Sequence, residues 1–104
     1  MSTLQTVFLE EKSRLQRLYE LYMKQLLDLP RGTIQRKVIK NHEYFYLAYR
    51  IPGNRKLFFE YIKHDDVALE DLKRKIEKRK YIKSQIKILK KEMNELEKAV
   101  KRHE

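Results

Sequence analysis

Every proline and glycine of this 104-residue chain lies between positions 30 and 53. The four residues are Pro30, Gly32, Pro52 and Gly53, and the long segments on either side contain neither type. Because proline and glycine are strongly disfavoured inside helices, long helices can form only in the two flanks. This placement predicts a helix, then a turn-rich β region, then a second helix.

The first flank is expected to form a helix over residues 3–29. Apolar side chains recur there at helical spacing, and Ser2 or Thr3 can cap the start. Pro30 and Gly32 end the pattern. Four basic and four acidic residues balance within this segment, so the first helix is interpreted as scaffold.

The central region, residues 33–63, has the aromatic and β-branched composition of a pleated sheet. Two short segments, Lys40–His42 and Pro52–Asn54, have the residues that tight turns need, with Pro-Gly in the order typical of a type II turn. These turns divide the region into three antiparallel strands, which are expected at Thr33–Ile39, Glu43–Ile51 and Lys56–Ile62.

The last segment, residues 65–102, is predicted to be one long helix with Asp65 or Asp66 as its cap. It would measure about 57 Å, which is longer than a small body can cover. Its first part places Leu69, Leu72 and Ile76 on one stripe, which is expected to pack on the sheet and the first helix. Its second part forms another stripe, offset from the first, consisting of Ile82, Ile86, Leu89, Met93, Leu96 and Val100.

The spacing of the second stripe alternates between four and three residues over about three heptads, which is typical of a coiled coil. Two interpretations remain open, an intramolecular core along the first helix and a homodimer interface. Together the segments predict a single α+β domain over residues 1–104. It has an N-terminal helix, a three-stranded antiparallel sheet and a long C-terminal helix with coiled-coil character.

The charge is strongly positive, with 25 basic and 15 acidic residues and a formal net charge of +10. Such an excess favours polyanionic partners. Residues 73–91 contain ten basic residues and a single acidic one. Most of the lysines fall within about 100° of helix arc, which predicts either a phosphate-contacting stripe or an ordinary solvated surface. The stripe comprises Lys73, Lys80, Lys83, Lys87 and Lys91, with Lys90 in the same arc.

Residues 31–63 carry eight basic and two acidic residues. Alternation along the middle strand separates Phe45, Leu47 and Tyr49 from Tyr44, Tyr46 and Arg50. The first group is expected to face the core together with Leu57, Phe59 and Tyr61. The other face can stack on bases and hold phosphates, unless the long helix covers it. Its predicted nucleic-acid-binding residues are Lys37, Tyr44, Tyr46, Arg50 and Lys56.

Several function classes have no support in the sequence. There is no cysteine, no histidine at metal-ligand spacing, no phosphate-binding glycine loop and no nucleophile motif. We therefore expect no catalytic residue, no metal and no cofactor. The N-terminal residues do not resemble a signal peptide, and no apolar run approaches the roughly 20 residues of a membrane span. A cytoplasmic location without membrane contact is expected.

The segment Leu29–Ile34, the strand sequence Glu43–Arg50 and the pair Tyr61-Ile62 together resemble small uncharacterised proteins of bacteria, archaea, phages and mobile elements. These combine an LP-basic-GxI start, an EYxYLxYR strand and a lysine-rich C-terminal helix. Some such proteins carry cysteines near the first turn, which this chain lacks. The resemblance implies a mobile-element origin, where proteins of this size include DNA-binding regulators and anti-CRISPR inhibitors.

The favoured function is therefore non-enzymatic binding of DNA or RNA through the sheet face and the lysine stripe. A phage-type inhibitor of a nucleic-acid-guided nuclease would carry the same charge distribution. A structural coiled-coil adaptor, whose charge serves only solubility, is the third hypothesis.

Overall fold

A computed structural model describes residues 2–63 and 66–102. The element order is α1 (Thr3–Leu27), β1 (Thr33–Ile39), β2 (His42–Tyr49), β3 (Phe58–Ile62) and α2 (Asp66–Arg102). This order confirms the α+β prediction of a helix, a three-stranded antiparallel sheet and a long second helix.

Ser2 caps α1 through a reciprocal capping box. The Ser2 hydroxyl accepts from the Gln5 amide at 3.1 Å, and the Gln5 side chain accepts from the Ser2 amide at 3.0 Å. These bonds satisfy two amides that a helix start otherwise leaves unpaired. The helix ends at Leu27 with Asp28 as its C-cap, two residues earlier than predicted.

The strands pair in the order β1-β2-β3, so β2 lies in the centre. A two-residue turn joins β1 to β2, with Lys40 and Asn41 at φ values of 50° and 63°. Positive φ at both positions is the mark of a type I′ turn, which matches the twist of a hairpin. The predicted turn is therefore correct except that His42 already belongs to β2 and pairs with Ile39.

The connection from β2 to β3 is longer than predicted, because β2 ends at Tyr49 and β3 begins only at Phe58. Its first part is the expected type II turn. Gly53 has φ 82°, and the Asn54 amide donates to the Ile51 carbonyl at 3.0 Å.

The pairing of Tyr49 with Phe58 fixes the β3 register, and Phe59 then lies opposite Ala48. The predicted placement of Phe59 and Tyr61 on the core face with Phe45 and Leu47 is therefore wrong. The prediction joined the strands one residue out of step, and such a shift exchanges the two faces of a strand. Leu57, the third residue of that predicted group, precedes β3.

The chain divides into two compact units, and α2 contributes to both. One unit contains the described residues of 1–28 and 81–104, and the other contains the described residues of 29–80. The helix begins at Asp66, and the alternative cap Asp65 lies outside the described residues. The predicted single domain over residues 1–104 stays a prediction.

In the first unit, α1 and the last part of α2 run antiparallel. Lys12 reaches Glu97 at 3.8 Å, while the Lys90 ammonium lies 6.0 Å from the ring centroid of Tyr19. Residue numbers thus rise along one helix as they fall along the other. Leu15 is buried on α1.

Three residues of the predicted dimer seam are buried within a single chain. They are Ile82, Ile86 and Leu89. Their burial agrees with the intramolecular alternative, and their assignment to a dimer interface stays a prediction. Met93, Leu96 and Val100 remain half-buried, and dimerisation itself stays a prediction.

The second unit contains the sheet and the first part of α2. Leu69 and Ile76 are buried, and Ile76 lines the same depression as Ile34 of β1. Arg79 is also buried, and its guanidinium donates to the Leu29 carbonyl at 3.0 Å. This bond fixes α2 to the chain that leaves α1.

Candidate nucleic-acid interface

One face of the sheet collects aromatic rings around a lysine. The register places Lys37 of β1, Tyr44 and Tyr46 of β2, and Phe59 and Tyr61 of β3 on the same side. We call these five residues the aromatic face. The Tyr46 and Tyr61 centroids are 5.7 Å apart in an edge-to-face arrangement, and those of Tyr44 and Tyr61 are 6.5 Å apart. These are favourable separations for interacting rings.

Lys37 lies at the centre of this arrangement. Its ammonium is 5.1 Å from the Tyr46 centroid and 5.0 Å from the Phe59 centroid, and both distances are within cation–π range. This arrangement places a positive charge at the centre of the aromatic face. The predicted association of Lys37, Tyr44 and Tyr46 is thus present in the structure.

Solvent reaches the aromatic face. Phe59 is 49% exposed and Tyr61 is 53% exposed, while Tyr44 and Tyr46 are half-buried. Exposed aromatic side chains grouped on one sheet face commonly mark a binding surface. The prediction from sequence missed Phe59 and Tyr61 because it set the wrong register for β3. The signal it lacked was the length of the connecting loop.

Two predicted members do not belong to this face. Arg50 follows the last residue of β2, and its Nε donates to the Arg55 carbonyl at 3.4 Å within the connecting loop. Lys56 precedes β3, and its ammonium lies 5.5 Å from the ring of Phe58 on the opposite face. Both residues are exposed, so they remain available to anions at a different position.

An open depression of about 470 Å³ lies at the hairpin end of the sheet. Tyr44 and Tyr61 contribute aromatic walls, and Asn41, His42 and Glu43 contribute polar groups. The Glu43 carboxylate is engaged by the Arg36 guanidinium. Within the described part of the chain, the side chains of Asn41 and His42 make no hydrogen bond.

The lysines of α2 differ in their pairing. Lys73 and Lys80 each lie 3.2 Å from a glutamate one turn earlier, Glu70 and Glu77 respectively. The others, which belong to the first unit, are exposed and form no ion pair with any residue in 2–63 or 66–102; they are Lys83, Lys87 and Lys91. Because Lys73 and Lys80 are partly neutralised by glutamates, Lys83, Lys87 and Lys91 should attract anions more strongly.

Two pKa shifts away from the aromatic face have structural causes. A hydrogen bond from Arg14 lowers the pKa of the Glu11 carboxyl. Burial lowers the pKa of Arg79, and the nearby charge of Arg31 lowers it further. Each shift follows from local packing within a helix or a loop.

The described residues contain neither a cluster of metal ligands nor an apolar membrane span. No group of three or more histidine, aspartate or glutamate side chains among them could hold a metal ion. Over the same ranges, neither helix contains the uninterrupted apolar length that crossing a bilayer requires.

No protein-family model matches the chain, and neither a curated protein nor a solved structure shows significant similarity to it.

Proposed function

We propose that this protein is a non-enzymatic nucleic-acid-binding protein whose aromatic face holds a single strand. The observation that carries this proposal is the position of the Lys37 ammonium about 5 Å from the rings of both Tyr46 and Phe59. Bases stack on exposed rings, whereas a nearby cation compensates the backbone charge. The same two requirements are met within one sheet face.

Single strands suit this face better than a duplex. The bases of a duplex are stacked on one another, so their flat surfaces are unavailable to protein rings. A sheet face with rings on two adjacent strands can instead support bases that are splayed apart. The excess of basic residues in residues 31–63 supports the same ligand class.

We expect short single-stranded DNA or RNA to bind at low salt and to be released as salt rises. If three phosphates are neutralised, affinity should fall roughly 20-fold between about 50 and 200 mM salt. The duplex of the same sequence should bind at least about tenfold more weakly, because it offers no stacking. Fluorescence anisotropy with labelled oligonucleotides measures both quantities.

Matched single strands and duplexes of equal length serve as each other's control in this titration. Equal affinity for the two forms at every salt concentration would contradict stacking on the aromatic face. A failure to bind either form at low salt would contradict the whole proposal and would favour a protein target for the basic surface.

A second prediction concerns the unpaired lysines of α2. Replacing Lys83, Lys87 and Lys91 with alanine should weaken binding by a similar factor for all sequences. The slope of log affinity against log salt should become shallower by up to about 0.7 for each phosphate of a single strand that the variant no longer neutralises. The measurement is the same salt titration performed on the variant.

The control removes three other lysines and therefore has an identical net charge. Lys12, Lys24 and Lys75 are exposed or half-exposed, and Lys12 and Lys75 form ion pairs with Glu97 and Asp71. Their replacement should change affinity less than replacement of the unpaired group. Equal losses in the two variants would mean that only total charge matters, and the stripe would then have no specific role.

A further inference from the structure

The depression at the hairpin end has chemistry that the rest of the aromatic face lacks. Its aromatic walls, Tyr44 and Tyr61, have centroids 6.5 Å apart with planes inclined at 51°. Polar side chains from the type I′ turn lie beside them. A flat ring and a hydrogen-bonding edge in one place are the two elements of base recognition in single strands.

The polar groups here favour a neutral base edge over a phosphate. Among the described residues, neither lysine nor arginine lines the depression, so no side-chain cation is present there to hold a phosphate. Glu43 and Tyr44 are consecutive in β2, so their side chains lie on opposite faces of the sheet. The Glu43 carboxylate is engaged on its own face by Arg36.

Asn41 and His42 both have free hydrogen-bonding capacity, and Asn41 carries the donor and acceptor that a base edge needs. It is exposed, and its side chain is unpaired among the residues that the structure describes. An asparagine amide presents a donor and an acceptor side by side. This pair matches the amino donor and ring-nitrogen acceptor on one edge of adenine. The backbone of Asn41 has φ 63° in a two-residue turn, and this turn geometry fixes the position of the Asn41 Cα.

We infer that this depression is a base-selective subsite that takes an unstacked adenine of a single strand. The ring stacks against Tyr44 or Tyr61, and the Asn41 amide pairs with the adenine edge. His42 contributes one further donor or acceptor from its imidazole. This inference rests on the proposed single-strand binding and adds a sequence preference to it.

The test compares an oligothymidine with the same strand carrying one central adenine. Wild-type protein should prefer the adenine-containing strand by about fivefold or more, as expected for a two-point contact. Asn41→Gly should abolish this preference, so that the two strands bind with equal affinity. Glycine is the appropriate replacement because it retains a positive φ without strain, whereas alanine would disturb the turn.

Asn94→Ala is the control, because Asn94 is an exposed asparagine on α2. The preference of this variant for the adenine-containing strand should equal that of the wild type. Equal wild-type affinity for the two strands would overturn the subsite while the proposed function stands. A preference that survives in N41G would overturn the role of Asn41. Binding to neither strand would overturn the proposed function and the subsite together. The experiment is repeated with RNA, so that any effect of the 2′-hydroxyl is separated from base selectivity.

Discussion

Replacing Phe59 and Tyr61 together with threonine is expected to reduce single-strand affinity by at least about 30-fold. Each ring that stacks on a base contributes about 1–3 kcal/mol, so removing two should cost at least about 2 kcal/mol. Threonine is chosen because its β-branched side chain suits a strand and therefore preserves β3. Anisotropy titration against a fixed oligonucleotide measures the loss.

Tyr81→Ala is the matched control for this experiment. Tyr81 is 59% exposed on α2, so it has ring exposure similar to that of Tyr61 without belonging to the aromatic face. Its replacement should leave affinity close to that of the wild type, because Tyr81 lies on α2 outside the aromatic face. Similar losses of affinity in the two variants would mean that any exposed ring contributes to binding, and the aromatic face would then have no specific role. Circular dichroism and thermal melting establish that the threonine variant remains folded.

The second large effect concerns Gly32, which lies just before β1. A Cβ at this position would come within 2.3 Å of the Ala48 carbonyl oxygen, and the backbone has φ 110°. Gly32→Ala therefore combines an unfavourable backbone conformation, at about 1–3 kcal/mol, with overpacking of about 1–3 kcal/mol. We expect a combined loss of about 2–6 kcal/mol in the free energy of unfolding, measured by urea titration.

Gly53 is a natural control for the backbone contribution. Its φ is 82°, but a Cβ there would meet no atom within 4 Å. Gly53→Ala should therefore be destabilised only by the positive φ, and the difference between the two variants reports the steric contact with Ala48. If both variants lose the same free energy, the close approach at Gly32 has no energetic role.

The β region illustrates what can be predicted from sequence and what cannot. The first hairpin is predictable because a two-residue turn allows a single register, and Lys40-Asn41 leaves no freedom between β1 and β2. The eight residues between Tyr49 and Phe58 impose no such condition. Side-chain alternation divides the residues of β3 between two faces. Which of these two groups lies on the same side of the sheet as Tyr46 depends on how β3 pairs with β2 across that loop.

The long helix sets a different limit. Its periodicity predicted both buried stripes, and the burial of Ile76 and Ile82 confirms that each stripe packs. A heptad pattern is the same whether the partner helix belongs to the same chain or to another. Sequence alone therefore could not identify the enclosure of Ile82, Ile86 and Leu89 by their own chain. The burial of Arg79 was also unforeseen, because its acceptor at Leu29 is a backbone carbonyl and leaves no trace in side-chain pattern.

Two rings of the aromatic face lie on one edge strand, so binding of the proposed ligand should stabilise that strand against local opening. Phe59 and Tyr61 belong to β3, a five-residue edge strand paired on one side to β2. Edge strands with few pairing partners open locally at lower free energy than the rest of a fold. In the proposed complex, a nucleotide strand that bridges Tyr46 and Tyr61 would bind only the closed form. At a hundredfold excess over Kd it would add about 2.7 kcal/mol against opening. Hydrogen exchange of the β3 amides should therefore slow as the nucleotide strand binds. Opening of the edge strand and release of the ligand would be coupled.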